Sequence, residues 1–100
     1  MENIKVEIIK YINEKPFPGI VKCRFRDAYG KEWEFIDKTA VFSTENISKK
    51  TKLPISGFIC GKIVNEENGI VCFCTKDPYF IRSIEGETIF YLKKDQITVD

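Results

Sequence analysis

Along most of the chain, apolar and polar residues alternate with a period of two, the period of a strand with one buried face. Ile4, Val6 and Ile8 alternate with Lys5 and Glu7 in a first strand. The phase slips after Ile8, because Ile9 and Tyr11 take the other face; a β-bulge near Ile8-Ile9, or a strand buried on both sides, accounts for the slip. Pro16-Phe17-Pro18-Gly19 then stops the ladder, since proline fixes φ and removes the donor a ladder needs.

The next unit fixes its own register. Val21, Cys23 and Phe25 alternate with Lys22, Arg24 and Arg26, and Glu32-Trp33-Glu34-Phe35 follows Asp27-Ala28-Tyr29-Gly30. Asp at the first and Gly at the fourth position suit a type I turn closed by a left-handed glycine, a three-residue hairpin loop. That loop sets Asp27 opposite Lys31, Arg26 opposite Glu32, Phe25 opposite Trp33, Arg24 opposite Glu34 and Cys23 opposite Phe35. Apolar residues then meet on one face and opposite charges on the other, whereas a two-residue loop sets Phe25 against Glu32. Arg24, Arg26, Glu32 and Glu34 read as a solvated ion-pair ladder, and Trp33 as core.

Ala40-Val41-Phe42 reads as a short strand, and Ser43–Ser56 is the least periodic stretch, with at most one helical turn near residues 44–52. It holds the chain's basic cluster, Lys49, Lys50 and Lys52, as either a plain surface connection or a functional loop. Phe58–Val64 and Ile70–Thr75 form a second hairpin with Asn68-Gly69 at its tip. Both of its faces are apolar, so these strands are expected to be central and covered on both sides. Gly57 and Gly61 mark bends or close approaches. Beyond the Lys76-Asp77-Pro78 turn the pattern gives a short strand or extended stretch at Ile81–Ile84, a turn at Glu85-Gly86, strands at Thr88–Leu92 and Ile97–Val99, and a turn between those strands. The expected fold is all-β: one domain over residues 1–100, a small antiparallel β-barrel or curled sandwich of about seven or eight short strands.

Charge and composition narrow the function. Lys and Arg number ten against eight Asp and Glu in residues 1–50, and six against seven in 51–100, so neither half is a basic arm or an acidic tail. A net charge of +1 argues against a nucleic-acid partner gripped through phosphates. Met1-Glu2-Asn3 lacks the features of a secretory leader, and no apolar run reaches spanning length, so no membrane partner is expected. The expected compartment is the cytoplasm, where Cys23, Cys60, Cys72 and Cys74 remain reduced and pack as small core residues. With no His and no C-x-x-C, no metal site is expected, and no cofactor-binding glycine motif occurs.

Catalytic constellations are missing too. Glu32 and Glu34 face arginines, Glu66 and Glu67 sit in a turn, and Lys22 and Arg24 beside Cys23 point to the opposite face, so no enzyme is expected. Binding is the remaining class, and interfaces favour Tyr, Trp and Arg anchors. Tyr29 at a hairpin tip is one candidate anchor, and Tyr79, Phe80 and Arg82 after the proline turn are a second patch, although Phe80 also suits the core.

The spread of Asp27–Gly30, Trp33, Val41-Phe42-Ser43, Pro54, Gly57-Phe58-Ile59-Cys60, Asp77-Pro78 and Glu85-Gly86 resembles a group of small bacterial all-β proteins. Some of these are associated with immunity to polymorphic or contact-dependent toxins. The resemblance covers about residues 20–92. It implies a barrel similar to the β-barrel domains of translation elongation factors, and a cytoplasmic inhibitor that masks a toxin domain stoichiometrically. It carries over no residue roles. An RNA-contacting barrel using Tyr29, Tyr79 and Lys49–Lys52 is the alternative. A homo-oligomer pairing through open edges at residues 4–12 or 97–99 is a third reading.

Overall fold

The longest apolar alternation becomes the centre of the sheet. The computed structural model describes residues 1–99, and strand β1, Glu2–Asn13, pairs on both of its sides. Its Glu2–Ile8 half lies antiparallel to β4 (Ile55–Glu67), and its Glu7–Asn13 half to β2 (Ile20–Arg26). The sheet order is β3 (Glu32–Lys38), β2, β1, β4, β5 (Ile70–Cys74), β6 (Ile89–Lys93), while β7 (Ile97–Val99) pairs with the start of β1. All pairings are antiparallel, and the sheet curls into a half-barrel. The open edge expected over residues 4–12 is closed where Ile4 and Ile8 are held on both sides by neighbouring strands, whereas residues 10–13 pair with β2 alone.

Several local readings hold. The β1–β2 register shifts between Ile8 and Lys10, the slip that the alternation of Ile8 and Ile9 marks. The first hairpin has the expected pairing from Arg26–Glu32 to Cys23–Phe35, with Gly30 at φ 88°. Asp27 anchors its turn: Oδ1 accepts from the backbone N–H groups of Tyr29 and Lys31, each at 2.9 Å, and Oδ2 from the Trp33 indole at 3.0 Å. The second hairpin closes on Asn68 and Gly69, both with positive φ, as a two-residue type I′ turn requires.

Two readings are corrected, residues 40–42 as a strand and the second hairpin as covered on both faces, and two open ones are narrowed. Thr39–Phe42 is one turn of helix, α1, and not a strand. Thr39 and Phe42, three apart, both turn inward and are buried, so the period here is that of a helix. Residues 44–52 hold no helical turn. Ser and Thr hydroxyls capture the backbone instead: Ser43 Oγ accepts from Glu45 N–H, Ser48 Oγ from Lys50 N–H, and Thr51 Oγ1 from Ser48 N–H. The β4–β5 hairpin is not covered on both faces, because β4 leaves β1 at Gly61 and runs on, with Ile63 and Val64 exposed. Ile81–Ile84 is not a strand; it is an irregular segment tied by Ile81 N–H to Thr75 O and Ser83 N–H to Glu87 O.

The curl is closed by side chains more than by a ladder. β3 and β6 end the strand order without pairing, yet Phe90 of β6 packs against Phe25, Trp33 and Phe35 at ring-centroid distances of 5.1 to 5.6 Å. Backbone bonds from Ala28 N–H to Tyr91 O and from Ile84 N–H to Glu34 O, both 2.8 Å, bridge the gap.

The thiols divide by depth. Cys23 and Cys60 are buried, while Cys72 and Cys74 are half-buried on the outward side of β5, and none of the four is in a disulfide. This corrects the reading of all four as core residues. Burial, reinforced by the Asp37 carboxylate, pushes the Cys23 thiol far above its ordinary range. At neutral pH a disulfide-exchange reagent is therefore expected to label Cys72 and Cys74 in the native protein, and Cys23 and Cys60 only after denaturant is added. Mass spectrometry of the labelled peptides checks this; early labelling of Cys23 would contradict the burial argument.

Candidate functional site

Loop residues reach the surface where the core claims their neighbours. In the 75–88 segment Thr75, Ile81 and Ser83 are buried, with the Thr75 hydroxyl donating to Ile81 O. Burying Ile81 turns the residue before it outward: Phe80 takes φ 51°, in the left-handed region, and the residue is 51% exposed. Such a conformation in a bulky residue costs about 1–2 kcal/mol and persists only when its surroundings hold it. The ring carries Arg82 on one approach, guanidinium carbon 5.5 Å from the centroid, and the Lys76 ammonium at 6.0 Å.

β3 supplies the other wall. Ile36 on its outward face is 46% exposed, and Ile84 beside it is 55% exposed. Together with Asp37, Phe80, Arg82 and Glu85 they border a shallow groove of about 460 Å³. One of its charges is ion-paired, Glu85 with Lys31 at 3.0 Å, while Asp37 Oδ1 accepts the Lys38 backbone N–H at 2.8 Å and keeps its charge. Among the described residues neither Arg82 nor Asp37 has an opposite charge within salt-bridge distance, so the groove carries one cation and one carboxylate outside any ion pair.

The residues singled out from the sequence fall into three places. Phe80 and Arg82 are together, and Tyr79, next in sequence, is exposed. Phe80 is thus a surface residue, and Ile81 takes the core place that the sequence also offered to Phe80. Tyr29 is exposed at its hairpin tip, 6.2 Å from the Tyr91 ring, with Cys72 and Ile70 bordering the same hollow. Lys49, Lys50 and Lys52 are exposed in the loop after α1 and share no hydrogen bond, ion pair or ring contact with either aromatic group among the described residues.

Sequence reasoning missed Ile36, Ile84 and Tyr91, which pattern alone assigns to strands without saying which face stays uncovered. It also missed Phe17, 91% exposed beside a groove of about 1040 Å³ between the 14–18 and 39–48 segments. The signal there was an aromatic residue between two prolines, outside any alternation. Tyr11, Pro18, Ala40 and Ile47 also line that groove, whereas the lining beside Phe80 is mainly polar, with Asp37, Arg82, Ser83 and Glu85.

Among the described residues no three His, Cys, Asp or Glu converge as metal ligands, and no helix is long and apolar enough to cross a membrane. Compared with known proteins, the chain matches no family model, no curated protein and no solved structure.

The strain at Phe80 is separable from its surface role. Phe80→Gly is expected to raise stability by about 0.5–1 kcal/mol, because glycine adopts this φ without penalty while the lost ring contacts are largely solvent-exposed. Urea denaturation checks it; a loss of stability would mean that the ring packs more firmly than its exposure indicates.

Proposed function

We propose that this chain is a non-enzymatic protein-binding domain whose contact surface is the Phe80–Arg82 patch with Ile36 and Ile84. The observation that carries the reading is the backbone at Phe80: φ 51° holds an aromatic ring out in solvent between two cations. Aromatic and arginine side chains are the commonest interface anchors. An exposed ring on a strained backbone, next to two exposed isoleucines, costs stability that a bound partner would recover by covering it.

The resemblance to small bacterial β proteins supports a specific version, a cytoplasmic immunity protein that neutralises a toxin by direct binding. A near-neutral charge fits a toxin whose active site is not a nucleic-acid groove. The experiment is affinity capture with the tagged protein, wild type beside an F80G/R82E double variant, from its own organism's lysate and with any neighbouring toxin-like gene product. A stoichiometric protein held by the wild type and lost by the variant supports the reading. Recovery of RNA instead, or a protein retained equally by both, removes it.

A further inference from the structure

We infer that Cys72 and Cys74 form a two-coordinate site for a soft monovalent cation, copper(I), on the outward face of β5. The pair shares no residue with the Phe80–Arg82 patch, and the inference does not depend on the protein-binding reading.

Strand parity carries the first step. Val71 and Phe73 of β5 are buried, so Cys72 and Cys74 share the opposite face, where both are half-buried. β5 is paired along both of its sides here: Cys72 lies between Asn65 of β4 and Tyr91 of β6, and Cys74 between Lys62 and Ile89. The ladder therefore fixes the spacing of the two thiols. Residues two apart in a strand stand about 6.5–7 Å from each other, and their Cβ atoms nearly as far. A disulfide needs Cβ atoms roughly 3.5–4.5 Å apart, so the pair cannot form one without breaking the ladder.

A metal bridge spans more. A metal–thiolate bond is roughly 2.3 Å long, so two sulfurs on opposite sides of one ion stand about 4.6 Å apart. Strand side chains lean along the strand, and turning each sulfur towards the other shortens their separation by about 2 Å. A linear sulfur–metal–sulfur unit thus fits on an unmoved backbone.

The surroundings select the ion. Thiolates are soft donors that favour copper(I). Among the described residues no third His, Cys, Asp or Glu joins the pair, so the four-ligand shell of zinc and the oxygen shell of calcium are missing. The lack of His and of C-x-x-C excludes a zinc knuckle; it does not exclude a two-thiolate site. Binding releases the two thiol protons to solvent and leaves one copper(I) between two thiolates, a singly negative complex. Lys62, opposite Cys74 on the same face, has no carboxylate within salt-bridge distance among the described residues, and its ammonium offsets that charge.

The test is anaerobic titration of the full chain, kept reduced by a non-thiol reductant, with copper(I) held by the chromophoric chelator bicinchoninate. The wild type is expected to withdraw one copper(I) per chain. Cys72→Ser and Cys74→Ser each leave one thiol and should lose about a hundredfold or more in affinity. Both changes are nearly isosteric on an outward face, and an unchanged circular dichroism spectrum verifies the fold. As a check that needs no variant, bound copper(I) should slow alkylation of Cys72 and Cys74 by N-ethylmaleimide about tenfold or more. X-ray absorption at the copper edge should show two sulfur neighbours, and light scattering the same mass with and without copper(I). Copper(I) left on the chelator overturns the inference, as does a single-serine variant that binds as tightly as the wild type. A rise in mass on adding copper(I) would mean that the ion joins thiols of two chains, and it overturns the inference equally.

Discussion

Gly61→Ala is expected to destabilise the protein by about 3 kcal/mol, at the upper end of the usual range for overpacking. Gly61 is the residue at which β4 passes from β1 to β5: it pairs with Glu2, and Lys62 already pairs with Cys74. A Cβ there would overlap the edge of the Phe73 ring and the Cys74 carbonyl oxygen. Phe73 is fully buried and the carbonyl belongs to the neighbouring strand, so neither can swing aside as an exposed side chain would. One added methyl group must push β5 away from β4 where the half-barrel bends. For a domain of this length, that loss lowers Tm by roughly 12–24 °C. Scanning calorimetry of Gly61→Ala beside the wild type reads it directly. A drop of only a few degrees would mean that the bend can flatten, and that Gly61 serves flexibility more than close approach.

That bend was legible in the chain as a glycine inside an apolar run, and so were the hairpin registers, because each is decided locally. The Asp27–Gly30 turn and the facing residues on either side of it agree on one pairing. Asn68-Gly69 does the same for β4 and β5. What alternation cannot say is how far a neighbouring strand extends. Ile63 and Val64 look like core because they are apolar, but β1 stops at Glu2, opposite Gly61, and leaves them in solvent. The helical turn at Thr39–Phe42 was hidden for a related reason: four residues are too few to separate a period of two from a period of three.

The candidate patch was half legible. Phe80 and Arg82 follow a proline turn, which marks them as surface candidates, but Ile36 sits in the middle of a strand and Ile84 in a segment that reads as one. Their exposure depends on β3 being the last strand of the sheet, and strand order is not written in any short stretch of sequence. The left-handed backbone at Phe80 was likewise out of reach. It follows from a contest for the core between Phe80 and Ile81, which Ile81 wins by bonding its amide to Thr75 O at 3.0 Å while its carbonyl accepts the Thr75 hydroxyl.

The same uneven closure makes Phe90 the most consequential single ring. β6 has a strand partner on one side only, and on the other it is held to the first hairpin by the Ala28–Tyr91 bond, a side-chain bond from Gln96 to Arg26 O, and the contacts of Phe90 with Phe25, Trp33 and Phe35. Phe90→Ala removes three ring contacts at once and opens a cavity between sheet ends that no ladder pulls together. The expected cost is about 3–5 kcal/mol, a large share of the roughly 5–15 kcal/mol that holds such a domain folded. Phe90→Leu retains most of the volume and should cost about 1–1.5 kcal/mol. The Ala28 amide, which bonds across the gap, should exchange faster in Phe90→Ala than global unfolding accounts for, while amides between β1 and β4 follow the global loss alone. Urea denaturation with residue-resolved hydrogen exchange separates these terms. A loss below about 1.5 kcal/mol, with Ala28 as protected as the β1–β4 amides, would show that the backbone bonds alone hold the curl. The β3 edge would then owe its exposure to those bonds, and not to the packing of Phe90.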